Sequence, residues 1–209
     1  MLDHVFTDAI SALRDAFESA FLERQAFEEH FQSDVLSGDL TWETSYGLPG
    51  EGEPPRVVAH ITFEWPAWSQ AAYRHWYLEE VLERRPAIEI EIVLRVQQLT
   101  EPADPAVIYS TVPEMSPLIA DDRLERSGMT AEVAHPDPAD DPPNLGEARS
   151  EHAIEITYEG LYELAEATVA DGTNSLLDEH FGALGGWIAS TLVKLGDLSL
   201  DFLPDPDPD

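Results

Sequence analysis

The chain has 209 residues, no cysteine, and 42 acidic against 11 basic residues, a formal charge of −31. That length favours one domain or two closely packed halves. The absent thiols exclude disulfides, thiolate nucleophiles and Cys-ligated metals. No run approaches the roughly 20 apolar residues of a membrane span, and phosphate contacts need clustered Lys/Arg that the chain lacks, which argues against direct nucleic-acid binding.

The N-terminus, MLDHVFTDAISALRDAF, meets an acid at once and has no basic n-region, so no secretory signal is expected and the cytoplasm is the expected location. The acids are dispersed along the chain, and Lys194 is the only lysine. This composition resembles that of salt-adapted proteins, because molar salt shortens the range of repulsion to about 3 Å. A surface imitating the phosphates of DNA is the sharper alternative.

In chain order, Phe6, Ile10, Leu13, Phe17, Ala20 and Phe21 recur at helical steps and predict one long helix or two short ones over 3–35. Leu40, Trp42, Thr44 and Tyr46, then Val57, Ala59, Ile61, Phe63 and Trp65, alternate with mostly polar neighbours across the loop LPGEGEPP, which predicts a hairpin. A helix over 69–84 follows, with Ser69 as its N-cap and Pro86 beyond its end. Ile88, Ile90, Ile92, Leu94 and Val96 give the clearest strand, and Val107–Val112 a shorter one. Residues 113–128 read as irregular, Met129–Ala134 as a weak strand, and 135–150 as a linker. Ile154, Ile156 and Tyr158 form another strand pattern. Helices at about Leu161–Val169 and Ser175–Val193 and a short strand at Leu198, Leu200 and Phe202 complete the series.

The expected fold is therefore α+β. It has a mainly antiparallel sheet of five to seven strands, packed by a long N-terminal helix and C-terminal helices. Residues 1–204 form a single domain with candidate halves 1–112 and 113–204, and 205–209 form a disordered acidic tail. Leu40-Thr41-Trp42-Glu43 with Ile61-Thr62-Phe63-Glu64 echoes Met129-Thr130-Ala131-Glu132 with Ile156-Thr157-Tyr158-Glu159, which suggests a duplicated hairpin–helix unit.

No nucleotide loop, nucleophile elbow or H-E-x-x-H motif is present. His30 with Asp34 has helical ligand spacing, but such a pair is more often a surface contact. His60 with Glu64, and His152 with Glu155, read as polar positions on a solvated sheet face. The acid pairs Glu79-Glu80, Asp121-Asp122 and Asp140-Asp141 lack a calcium-loop spacing. No metal or cofactor is expected, and the balance leans away from an enzyme.

The most unusual local feature is aromatic: Trp65, Trp68, Tyr73, Trp76 and Tyr77. These read as core packing, or as a contact for a protein partner or a second copy of the chain. The expected function is a non-catalytic acidic binding or adaptor protein acting through that patch. The alternatives are an acidic inhibitor or DNA mimic, and a small-molecule-binding protein or enzyme with a pocket near His60, Trp65 and Trp76.

Overall fold

The structure, a computed structural model, describes residues 3–20, 29–33, 38–48, 54–77, 84–134, 150–164 and 175–204. Alternating apolar residues build six antiparallel strands: β1 (Glu29–Ser33), β2 (Leu40–Gly47), β3 (Val57–Trp65), β4 (Ala87–Leu99), β5 (Glu125–Ala134) and β6 (Glu151–Glu163). They lie side by side in the order β1-β2-β3-β4-β6-β5. Helices α1 (Asp3–Ala20), α2 (Ala67–Tyr77), α3 (Pro105–Thr111) and α4 (Ser175–Gly196) complete the described elements. No helix among them is long and apolar enough to cross a membrane.

One face of the sheet forms the core. Ile61, Phe63, Ile90, Ile92, Leu94, Ile156, Tyr158 and Tyr162 are all buried there. Over them lies α4, whose Leu177, Phe181, Leu184, Ile188, Leu192 and Leu195 repeat at three- and four-residue steps and are fully or almost fully buried. The Phe181 ring meets Phe63 at 5.4 Å and Tyr162 at 5.0 Å, both edge-on. Next to α4 packs α1, through Ala9, Ile10, Ala12 and Leu13. Gly185 permits that approach. A Cβ there would stand 2.8 Å from Ala16 Cβ and 3.2 Å from the Leu13 carbonyl, so a side chain would push the two helices apart. The glycine that weakens a helix by propensity here lets two backbones meet.

Several expectations are corrected. Residues 29–33 do not continue a helix over 3–35. They pair with β2, Phe31 opposite Trp42, and a sheet neighbour satisfies their backbone better than a phase-shifted apolar stripe could. Ser69 does not cap α2. Its buried hydroxyl accepts from Trp65 Nε1 at 3.0 Å and from Ala87 N at 2.7 Å and donates to the Ala87 carbonyl, fastening α2 to the start of β4. The Ala67 N–H instead donates to Asp39.

The strand expected at Val107–Val112 is the helix α3. Asp104 caps it by accepting from Ala106 N at 2.9 Å, and Pro105 opens it. That cap-and-proline start outweighs the β-branched content of 107–112. Residues 161–163 remain in β6 instead of opening a helix, and β5 begins at Glu125, earlier than expected. Of the last expected strand, only a bridge from Phe202 to Leu99 exists. Most of the loop 47–55, the second half of the helix expected over 69–84, and the stretch 135–149 lie outside the described residues.

The two echoing hairpins exist, as β2–β3 and β5–β6, but they flank β4 in mirrored order with β3 and β6 both antiparallel to it. Neither a two-fold rotation nor a translation that keeps the core face inward maps one hairpin onto the other. The duplication therefore has no support in the sheet.

Candidate functional site

Side chains on the outer face of the sheet alternate with the core residues, and most of them meet solvent. Near its centre, Arg95 on β4 is held between Glu155 on β6 and Glu132 on β5, the latter at 2.9 Å, with Gln97 at 3.1 Å. His60 on β3 shares a hydrogen bond of 2.7 Å between its Nδ1 and the Ser45 hydroxyl. Although His60 is exposed as a residue, its neighbours remove enough water from the ring to lower its pKa. The Arg95 cation adds to this and Glu155 opposes it. Ser45 and His60 resemble a nucleophile and base, but among the described residues no carboxylate orients the other ring nitrogen.

The lowered value has a sign. A histidine that stays neutral more readily when folded contributes its full stability above its unfolded pKa, near 6.5. That contribution is lost as pH falls below 6.5 toward the folded value. An NMR titration should place the His60 midpoint below 6.5, and Arg95→Gln should raise it, because Glu155 then acts without an opposing cation. A midpoint at or above 6.5 would contradict this environment.

Further along the same face, acids stand directly opposite acids. Glu64 faces Glu89 across β3–β4, Glu91 faces Glu159 across β4–β6, and Glu159 faces Glu125 across β6–β5. Such pairs are unfavourable. Glu64 has a raised pKa, first from partial desolvation and then from Glu89 and Asp39. Glu64, Glu89, Glu91, Glu159, Thr62 and Leu161 line a shallow open depression of about 440 Å³.

The expected aromatic contact divides when placed in the fold. Trp65 is 0% exposed and Tyr73, 6% exposed, meets it edge-on at 5.8 Å, so both belong to the core. Trp68 is half-buried, and the Arg84 guanidinium lies 3.7 Å above its ring. Trp76 and Tyr77 sit in the last turn of α2, and their side chains lie outside the described residues. His60 and Trp65 point to opposite faces of β3, so the sheet separates them and they line no common pocket. His30 lies in β1, not on a helix, and Asp34 is not described. Among the described residues, no three metal-ligating side chains converge.

Sequence reasoning missed a different corner, where α3, β5 and the end of α4 meet. Arg126 on β5 donates to the Val112 carbonyl at 2.9 Å, stacks 4.3 Å from the Tyr109 ring, and stands 3.9 Å from Glu114. Tyr158 donates to the Pro113 carbonyl. Burial pushes the Tyr158 pKa up to about 12, against the effect of Arg126. These two side chains hold the exit of α3 in place. Beyond them Tyr109, Ser110, Glu114, Arg126 and Lys194 border an open concavity of about 680 Å³. Tyr109 is 43% exposed, and Val107 and Val193 on the same two helices are similarly open. Lys194 is exposed and has no carboxylate partner among the described residues. The sole lysine, and the Asp104-Pro105 start of a helix ending beside it, were the available signals.

No protein-family model matches the chain, and neither a curated protein nor a solved structure gives a match.

Proposed function

We propose that this is a non-catalytic binding protein of a salt-adapted cytoplasm that works through protein–protein contact, without cofactor and without direct nucleic-acid binding. The observation that carries the reading is the α3–β5–α4 corner. There exposed Tyr109 borders one concavity with Arg126 and with Lys194, which has no carboxylate partner among the described residues, and Val107 and Val193 are exposed on the same two helices, in a chain of net charge −31. Elsewhere the acidic surface repels an approaching acidic protein; here apolar area and positive charge coincide, which suits an acidic segment of a partner. Trp68 under Arg84 is a second surface of aromatic-plus-cation character, and the expected aromatic contact is retained there together with Trp76 and Tyr77 of the same helix.

A photo-crosslinking residue in place of Tyr109 tests the corner in native cytosol at high salt. It should give discrete adducts that Lys194→Glu reduces at least about tenfold. The same crosslinker at Glu43, exposed on the outer sheet face, should give none of those adducts. Equal labelling from both positions would defeat the proposal.

A second reading, an acidic inhibitor imitating DNA, draws on the facing carboxylates of β3, β4, β6 and β5. It is the weaker one, because Arg95, His60 and Val93 interrupt the acid rows and a mimic needs them continuous.

A further inference from the structure

Among the described residues, the outer edge of β5 is uncovered over most of its length. At its start, Arg126 N donates to the Glu114 carbonyl and Ser116 N to the Leu124 carbonyl, so the segment 114–116 covers residues 124–126. From Ser127 to Ala134 the strand hydrogen-bonds to β6 on one side, and its outward N–H and C=O groups have no partner among the described residues. Natural edges are usually blunted by lysine, proline or a bulge. This one has an irregularity between Arg126 and Gly128, and neither lysine nor proline from Gly128 to Ala134.

The edge also carries little charge for so acidic a molecule. Glu132 is the only carboxylate between Ser127 and Ala134, and Arg95 lies 2.9 Å from it. Met129, Ala131 and Val133 share the helix-side face of the strand, where Ala131 and Val133 are exposed. The pattern reads the same in both directions about Ala131, with apolar Met129 and Val133 outside it and polar Thr130 and Glu132 between.

From these observations we infer that two copies of the chain join through β5. The strands pair edge to edge and antiparallel, with Ala131 on the two-fold axis, and the two sheets become one of twelve strands. That register sets Val133 against Met129 of the second copy and Thr130 against its Glu132, and each Glu132 arrives already paired with its own Arg95. An isologous pairing of this kind closes on itself and leaves no second free β5 edge. It is independent of the corner contact, since that contact uses side chains of α3, α4 and Arg126 rather than the strand backbone from Ser127 to Ala134.

The absence of native cysteine makes the test specific. The unaltered chain in 2 M KCl should sediment at twice its 23.2 kDa mass. In an antiparallel pair, residues facing each other stand about 4.5–5.5 Å apart, within disulfide reach. Ala131→Cys should therefore cross-link to a covalent dimer on oxidation at least about tenfold faster than Val133→Cys, whose two copies would be separated along the strands. Mixing Met129→Cys with Val133→Cys should restore fast cross-linking. A strictly monomeric unaltered chain would overturn the inference, as would Val133→Cys linking as fast as Ala131→Cys. Loss of the dimer with Tyr109 adducts retained removes this inference alone, and the reverse result removes only the corner.

Discussion

Between 0.1 and 2 M KCl the thermal midpoint is expected to rise by roughly 10 °C or more. The cause is charge that the fold places side by side. Glu64–Glu89, Glu91–Glu159 and Glu159–Glu125 are direct cross-strand neighbours, and the chain carries −31 overall. Each facing pair costs about 0.2–1 kcal/mol when unscreened. For a chain of this length, 1 kcal/mol moves the midpoint by about 2–4 °C. The three pairs thus supply only part of the rise, and the remaining excess of acid supplies the rest. Charge is separable from the general strengthening of apolar burial by salt, because Glu91→Gln with Glu159→Gln should raise the low-salt midpoint and flatten the salt response. A midpoint indifferent to salt, or falling with it, would end the salt-adapted reading.

Trp65→Ala should cost about 3–5 kcal/mol of stability. The side chain is fully buried, its indole N–H donates to Ser69, and Tyr73 packs on it edge-on. Removing it leaves a cavity at the junction of β3 and α2 and takes one partner from the hydroxyl that fastens α2 to β4. Trp68→Ala should cost only about 1 kcal/mol, since it loses a partly buried ring and its stacking with Arg84. Chemical denaturation of both variants decides between core and contact for these residues. A loss below about 1 kcal/mol for Trp65→Ala would contradict its place in the core. If Trp68→Ala keeps the fold and loses partner capture, an aromatic contact at that residue stands.

Alternation and turn residues were enough to read β2, β3, β4 and the centre of β6, because one buried face writes a period of two into the sequence. The three- and four-residue stripe of α4 was equally plain. Harder were segments whose state depends on a distant neighbour. Residues 29–33 are a strand because β2 offers them hydrogen bonds, and Leu161 stays in β6 because β4 extends beside it to Ala87. For 107–111 the deciding signal is local, the Asp104-Pro105 cap, while the β-branched residues after it carry a strand-like composition.

The candidate site was less legible than the fold. Aromatic residues in a run look alike whether they face the core or a partner, and only the position of α2 against β3 separates Trp65 and Tyr73 from Trp68. The corner joins Tyr109, Arg126 and Lys194, which are far apart in the chain, and no spacing rule connects them. By itself the sequence determined the α+β class, the antiparallel pairing and the acidic surface, since each follows from composition or from a short repeat. The tertiary structure decided strand order, which acids face one another and where the sole lysine meets Tyr109 and Arg126, because these depend on contacts between residues tens of positions apart.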